Sequence, residues 1–370
     1  MISVNDRLVS EAISHAVDLD QYGTGVVRRM LALLNRVDAD LFAQLTAALV
    51  NLDAESFTVE RLEALLMSVR TMHAQAYLQL DRALTNELRE FVAAEWGYQQ
   101  QLLPSVGVPL SFGTGVATAE QVYAAAMSRP FQGRLLSEWA SGIEAQRMTR
   151  IRDAVRIGFV ENESVQQIVR RVRGTRAAGY TDGLIEIDRR HAEAVVRTAV
   201  QHVAAVAQDR MIEANLDLIK AVQWHAKLDL RTSPTCRVRD GLLYTPDTHK
   251  PIGHKVPWLS GPGRSHWNCR SLAVQMLKSF EEVTGIAGVG EIPVGTRASM
   301  DGALPADLTY GQWLQKQSAA RQDEVVGPTR GALMREGKLP FDELYSRRGE
   351  MLTLDQLRER NGAAFKRAGV

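Results

Sequence analysis

"RTSPTCRVRDGLLY", residues 231–244, holds one of only two cysteines in a chain of 370 residues, and "GRSHWNCRS", residues 263–271, holds the other. The apolar periodicity on either side decides what kind of structure carries them. Upstream, "KAVQWHAKLD" (220–229) alternates Val222, Trp224 and Ala226 against Gln223, His225 and Lys227. Downstream, "LAVQML" (272–277) alternates again, and a period of two is the mark of a strand with one face buried. Pro234, Pro246, Pro251, Pro257 and Pro262 lie between the two runs and predict loops rather than further regular structure. Residues 220–285 therefore read as a small strand-and-loop module with a cysteine beside each strand.

Outward from this module the period becomes helical. In 27–50, Val27, Met30, Leu31, Leu34, Val37, Leu41, Leu45 and Leu49 recur at three and four, and Leu62, Leu65, Leu66, Val69, Met72, Ala76, Leu80, Leu84, Leu88 and Phe91 do the same. The spacing predicts an antiparallel helical hairpin over 1–95, turning at "NLDAES" (51–56). The uncharged stretch 96–119 contains Pro104, Pro109 and several glycines, and predicts an extended arm or loop, packed on its own domain or docked on another subunit. Capping-box pairs Thr118/Gln121 and Ser164/Gln167 open further helices. A helical body over 120–219 follows, including a helix over 135–160 and another, with N-cap Asp188, that turns Ala192, Val195, Val196, Ala199, Val203 and Val206 inward. Residues 286–370 read as a tail of short helices, with boxes Thr309/Gln312 and Thr353/Gln356, C-caps Gly337 and Gly362, and too few large apolar positions for a large core of its own. The expected fold is mostly α with a small β/loop module, between a long-helix N-terminal region and a short-helix C-terminal tail.

Composition excludes several classes. Two cysteines are too few for a secreted disulfide scaffold, the first 20 residues lack the basic and apolar regions of a signal peptide, and the uncharged run is too broken by Pro and Gly to span a bilayer. No membrane partner is expected. A net charge of +1 hides an asymmetry: residues 1–146 carry 10 basic and 17 acidic side chains, and residues 147–290 carry 22 and 15. Arg147, Arg150, Arg170, Arg171 and Arg173 are the candidates for sequence-independent contact with a polyanion, unless they are solvated helix faces paired with nearby acids.

A structural zinc takes four ligands, usually in closely spaced pairs. "HWNC" supplies His266 and Cys269, whereas "RTSPTC" supplies Cys236 with Ser233 where a second cysteine would stand. His254 or Asp229, or else His249, would have to complete the set. Zinc, a close thiol or disulfide pair, and two separate structural cysteines all remain open, and Ser233 favours the metal-free outcome; no other cofactor is expected. A Cys/His nucleophile lacks an oxyanion hole or nucleophile elbow. "ENE" (161–163) resembles the paired acids of ADP-ribosyl-transferring enzymes, but it precedes a capped helix, where carboxylates complement the dipole.

Taken in order, the helix entry "GFVENESVQQIVRRV", Arg197–Thr198, Trp224, "LDLRTSPTC", Asp240–Gly241 and "SHWNCRS" resemble the phage Mu F-like head morphogenesis proteins, minor head proteins of tailed phages, over roughly 150–280. Trp224, Asp229, Arg231, Thr232, Gly241 and Arg270 are expected to have scaffold roles, with Trp224 as apolar anchor and with Asp229 and Arg231 flanking a strand end, to pair with Arg270 or with backbone groups. The resemblance implies a non-enzymatic virion protein, in the head and in the host cytoplasm during assembly. Its implied partners are the portal and major capsid proteins, with viral DNA a further contact during packaging or delivery. The competing classes are a metal-dependent nuclease or hydrolase on Asp229, His254, His266 and Cys269, and a host-directed effector carried in the virion.

Overall fold

A computed structural model describes residues 4–50, 59–106, 117–161, 163–278, 296–305 and 307–370. The described chain is mostly helical, and it clusters into two compact units built from non-contiguous segments. One comprises Gln21–Ala93 and Tyr123–Val203; the other comprises Met1–Asp20, Ala94–Val122 and Ala204–Val370.

The two longest helices are α1 (Val4–Val50) and α2 (Val59–Ser105). Their cross-contacts show the expected antiparallel sense, because partners late on one helix meet partners early on the other. Arg29 is held by both carboxylate oxygens of Glu87, Tyr22 stacks on Phe91, and His15 stacks on Tyr98. Both helices exceed their expected bounds. Residues 96–105 belong to α2 rather than to an arm, with Trp96, Leu102, Leu103 and Val106 buried. Pro104 is tolerated because it falls in the last turn, close to where the helical hydrogen bonding ends. The rest of the proposed arm, 107–116, and the hairpin turn, 51–56, lie outside the described residues.

In the first unit, α4 (Leu136–Val160), α5 (Val165–Arg173) and the start of α6 (Leu184–Glu213) pack on the α1/α2 pair. Leu41, Leu45, Leu49, Val69, Ile151, Val155, Ile168 and Val172 share one core. Helix α3 (Ala119–Ser128) is opened by the Thr118/Gln121 box, and α5 by Ser164/Gln167 with Gly174 as C-cap, all as expected. Helix α6 starts at Leu184, so Asp188 is not its N-cap. The six residues expected to face inward on α6 are all buried. Inside this unit the Arg147 guanidinium, 1% exposed, is held by Asp38 and by the Tyr77 hydroxyl, and Arg189 binds the other Asp38 oxygen at 3.1 Å. Arg147 is therefore not available to DNA.

The second unit contains the sheet. Strands β1 (Ile219–His225), β2 (Leu243–Tyr244), β3 (Pro251–Ile252) and β4 (Leu272–Leu277) are all antiparallel in the order β3-β2-β1-β4. A short helix, α7 (Pro234–Arg237), follows β1. The C-terminal segment adds the hairpin β5 (Thr296–Ser299) and β6 (Gly302–Pro305), then α8 (Tyr310–Gln315), α9 (Ala319–Val326), α10 (Pro328–Arg335), a 3-10 turn (Phe341–Leu344) and α11 (Leu354–Ala368). Contrary to the sequence reading, this segment has a sizeable core: Tyr310, Trp313, Leu314, Leu333, Phe341, Leu344, Leu357 and Phe365 are buried together with Leu228 from the sheet module. Each short helix contributes at most three of these positions, so no single stretch displays a strong stripe. Both capping boxes form, but Gly362 lies inside α11 and Gly369, at φ +67°, ends it instead.

Asp38→Ala should lower the unfolding free energy by about 3–5 kcal/mol, because it strands the buried Arg147 charge. Arg29→Ala, which breaks an exposed pair, should cost no more than about 1 kcal/mol. Urea denaturation of the two variants checks the contrast.

Candidate functional site

The site is assembled by strand pairing. In the β1/β4 ladder His225 lies opposite Leu272, so the chain leaving β1 and the chain entering β4 emerge at the same end of the sheet. The two cysteine segments meet there.

The first segment is fixed by side-chain caps. Asp229 accepts from the Arg231 N–H at 3.0 Å and from the Thr232 hydroxyl at 3.1 Å, closing a tight turn. Ser233 is the N-cap of α7, accepting from the Cys236 N–H, with Pro234 at the first helical position. This turns the Cys236 side chain into the module. The second segment is shaped by positive φ at Gly261, Gly263 and Asn268, and Gly261 is constrained further because a Cβ there would come within 2.8 Å of the Trp258 indole nitrogen. Arg270 then grips Asp229 with two parallel bonds of 2.7 and 2.9 Å, tying one segment to the other.

Between these braces lie Cys236, His266 and Cys269, whose ligand atoms are all within 4.8 Å of one another; they are the single such group among the described residues. The two Sγ atoms are 3.6 Å apart and Cys236 Sγ lies 3.1 Å from His266 Nε2. Both cysteines are free, and their separation is far from the roughly 2.05 Å of a disulfide. Around a tetrahedral zinc, bond lengths of about 2.3 Å to sulfur and 2.0 Å to nitrogen place two sulfurs about 3.8 Å apart and sulfur about 3.5 Å from nitrogen. The Sγ–Sγ spacing is near that geometry, the Sγ–Nε2 spacing is shorter, and the three donors leave one of the ion's four positions to be filled. His266 is oriented for it, because its Nδ1 lies 2.9 Å from the Trp267 carbonyl; an N–H there leaves Nε2, with its lone pair, facing the thiols.

The electrostatics agree in direction. The hydrogen bond from Cys236 outweighs burial and draws the Cys269 thiol down to about 7, helped by the Ser271 and Gly263 N–H groups. The same contact, with burial, pushes the Cys236 thiol up. Burial alone would lower His266, but the bond to Cys236 and its charge reverse this and raise it. Metal capture would require both thiols deprotonated and the imidazole neutral, and would release the protons they carry.

Neither expected fourth ligand is at the cluster. Asp229 is taken up by Arg270, Arg231 and Thr232, and His254 bonds the Leu243 carbonyl and the Val256 N–H beside Tyr244. Ser233 Oγ, 2.7 Å from His266 Nε2, occupies that side. His249 stacks on Trp258. Trp224 is fully buried against Trp258, and Gly241, at φ +82°, turns the chain so that its N–H bonds the Trp224 carbonyl, whereas Arg231 is exposed. Glu161 and Glu163 both bind Arg171, so the paired acids are one side of an ion cluster. Arg173 lies over the rings of Phe42 and Tyr180. Arg170 is exposed and Arg150 partly so.

Asp240 is the important residue whose role was not foreseen. One oxygen accepts from the Ala226 N–H and the other from the Tyr310 N–H, each at 2.7 Å, so a single buried carboxylate joins the end of β1 to the start of α8. Tyr310 returns its hydroxyl to the Asp229 carbonyl, and Arg237 reaches the Val325 carbonyl. The partner 70 residues away left no local trace in the sequence.

These features describe a small antiparallel sheet with a Cys/His clamp on a helical framework. Residues 149–274, about a third of the chain, match the family model described as Phage Mu protein F like protein, and this segment is assigned to the phage Mu F-like family. That assignment points to a phage head morphogenesis protein. No curated protein and no solved structure matches the chain.

Asp240→Ala should cost about 1–3 kcal/mol for each of the two buried N–H groups left without an acceptor. Amide hydrogen exchange should accelerate at Ala226 and Tyr310 together, whereas exchange confined to one of them would show that the carboxylate is not a shared cap.

Proposed function

We propose that the chain is a non-enzymatic minor head protein of a tailed phage that docks on the portal or major capsid protein during head assembly. The observation that carries the reading is the Mu F-like segment, whose best-braced residues, Trp224, Asp229, Cys236, Asp240, Cys269 and Arg270, all serve to hold the module together. Its place is the virion head, and the host cytoplasm before that. No described helix is long and apolar enough to cross a membrane. The test is the composition of purified particles: the protein should co-purify with DNA-filled heads in a few copies each. Its absence from heads and from assembly intermediates would contradict the reading.

In this proposal Cys236, His266 and Cys269 hold a zinc ion whose contribution is structural, closing the loop between β1 and β4. A hydrolytic site finds less support, since Asp229 and His254 are committed elsewhere and no carboxylate among the described residues joins the cluster. Purified protein should contain one zinc per chain. His266→Ala should lose the metal and destabilise the sheet module in thermal melts, because binding energy at such a site is folding energy. Retention of a wild-type melting curve by this variant would remove zinc from the account.

Contact with DNA, in the same reading, falls to Arg150, Arg170 and Arg173, without Arg147 and without Arg171, which Glu161 and Glu163 hold. Such contact is sequence-independent and weakens steeply with salt as phosphate counterions return. Arg170→Ala with Arg173→Ala should shallow the salt dependence of duplex binding by roughly two phosphate contacts. An unchanged slope would place any DNA contact elsewhere.

A further inference from the structure

A cleft of about 590 Å³ opens in the second unit between the loop that carries His254 and the C-terminal segment. Its floor is apolar, with Val256 and Tyr345 buried and Leu242 beside them. The volume lies in the range of sites that enclose a small ligand or a few side chains, about 300–1,000 Å³.

The mouth carries exposed charge from separate parts of the chain. Lys255 comes from the Mu F-like segment, Arg347 from the loop after the 3-10 turn, and Arg360 from α11, beside Asn361, where the helix breaks at φ −131° and ψ 38°. Among the described residues none of these three cations makes a hydrogen bond or an ion pair. Four other arginines of the C-terminal segment are tied down: Arg321 by Asp301, Arg335 by Asp323, Arg330 by the Leu352 carbonyl and Arg367 by that of Gly337. Two carboxylates, Asp342 and Glu343, also line the cleft, yet they bridge to none of the three. They stand in the first turn of the 3-10 turn, where acids meet unsatisfied N–H groups. The cations have no such local role.

We propose that this cleft docks a peptide segment of another protein in which an apolar side chain is flanked by acidic residues. The apolar side chain fills the floor, and the flanking carboxylates meet Lys255, Arg347 and Arg360. A nucleic acid fits less well, because it offers no apolar side chain to the floor. Two of the three cations lie beyond the segment matched by the family model, so the C-terminal segment supplies the specificity of the cleft. The inference does not depend on the head-assembly reading, and either can fail alone.

The test is selection of a displayed random peptide library on the full-length protein, counter-selected on the Arg347→Glu/Arg360→Glu double variant. The substituted positions are exposed, and a thermal melt verifies folding. If the double variant melts early, Lys255→Glu replaces it. The expected result is enrichment of sequences with an apolar residue between Asp or Glu, and a synthetic peptide of that sequence binding the charge-reversal variant at least tenfold more weakly. That binding should also weaken as salt is raised. No enrichment over the variant, enrichment of basic peptides, or equal binding to both proteins would overturn the proposal. So would a 20-base-pair DNA duplex whose binding is lost with the same charges.

Discussion

Antiparallel pairing of β1 with β4 is the constraint on which the second unit depends. With His225 opposite Leu272, two loops separated by more than 30 residues must leave the sheet at one end. Everything that distinguishes the module then follows at short range: Asp229 reaches Arg270, Ser233 reaches His266, and the two sulfurs come to 3.6 Å. A slip of one residue would turn Trp224 and Val222 to the other face and separate the cysteines. The buried aromatic cluster of Trp224, Tyr244 and Trp258 resists that slip.

Asp240 extends the same constraint to the rest of the unit. By accepting from Ala226 and Tyr310 at once, it makes the end of β1 a shared boundary of two cores, the sheet module and the C-terminal helices. Leu228 sits fully buried in the second of these although it belongs to the first by sequence. The C-terminal segment is thus bonded into the Mu F-like module, and its side chains complete the cleft beside His254.

Local signals were legible in the sequence, and non-local ones were not. Alternation located β4 at its observed bounds and the start of β1 to within a residue, although β1 ends at His225, short of the expected run, and four capping boxes formed where Ser or Thr stands three before Gln. Proximity of Cys236 and Cys269 could be read from the two flanking strands. Pro104 and the glycines suggested an arm from Trp96, yet the apolar residues 96, 102, 103 and 106 are buried, and burial overrode the breaker signals. Arg147 looked like its neighbours Arg150 and Arg170, because its partner Asp38 is 109 residues away. The C-terminal core was missed for the same reason: its apolar residues are spread thinly over short helices and meet only in the fold.

The proposal that Cys236, His266 and Cys269 hold zinc as a structural clamp is tested most directly by zinc K-edge absorption of the purified protein. The predicted spectrum has two sulfur neighbours at about 2.3 Å and nitrogen or oxygen neighbours at about 2.0–2.2 Å. A stoichiometric zinc with only nitrogen and oxygen neighbours, or a folded protein that holds no zinc when prepared without chelators, would contradict it.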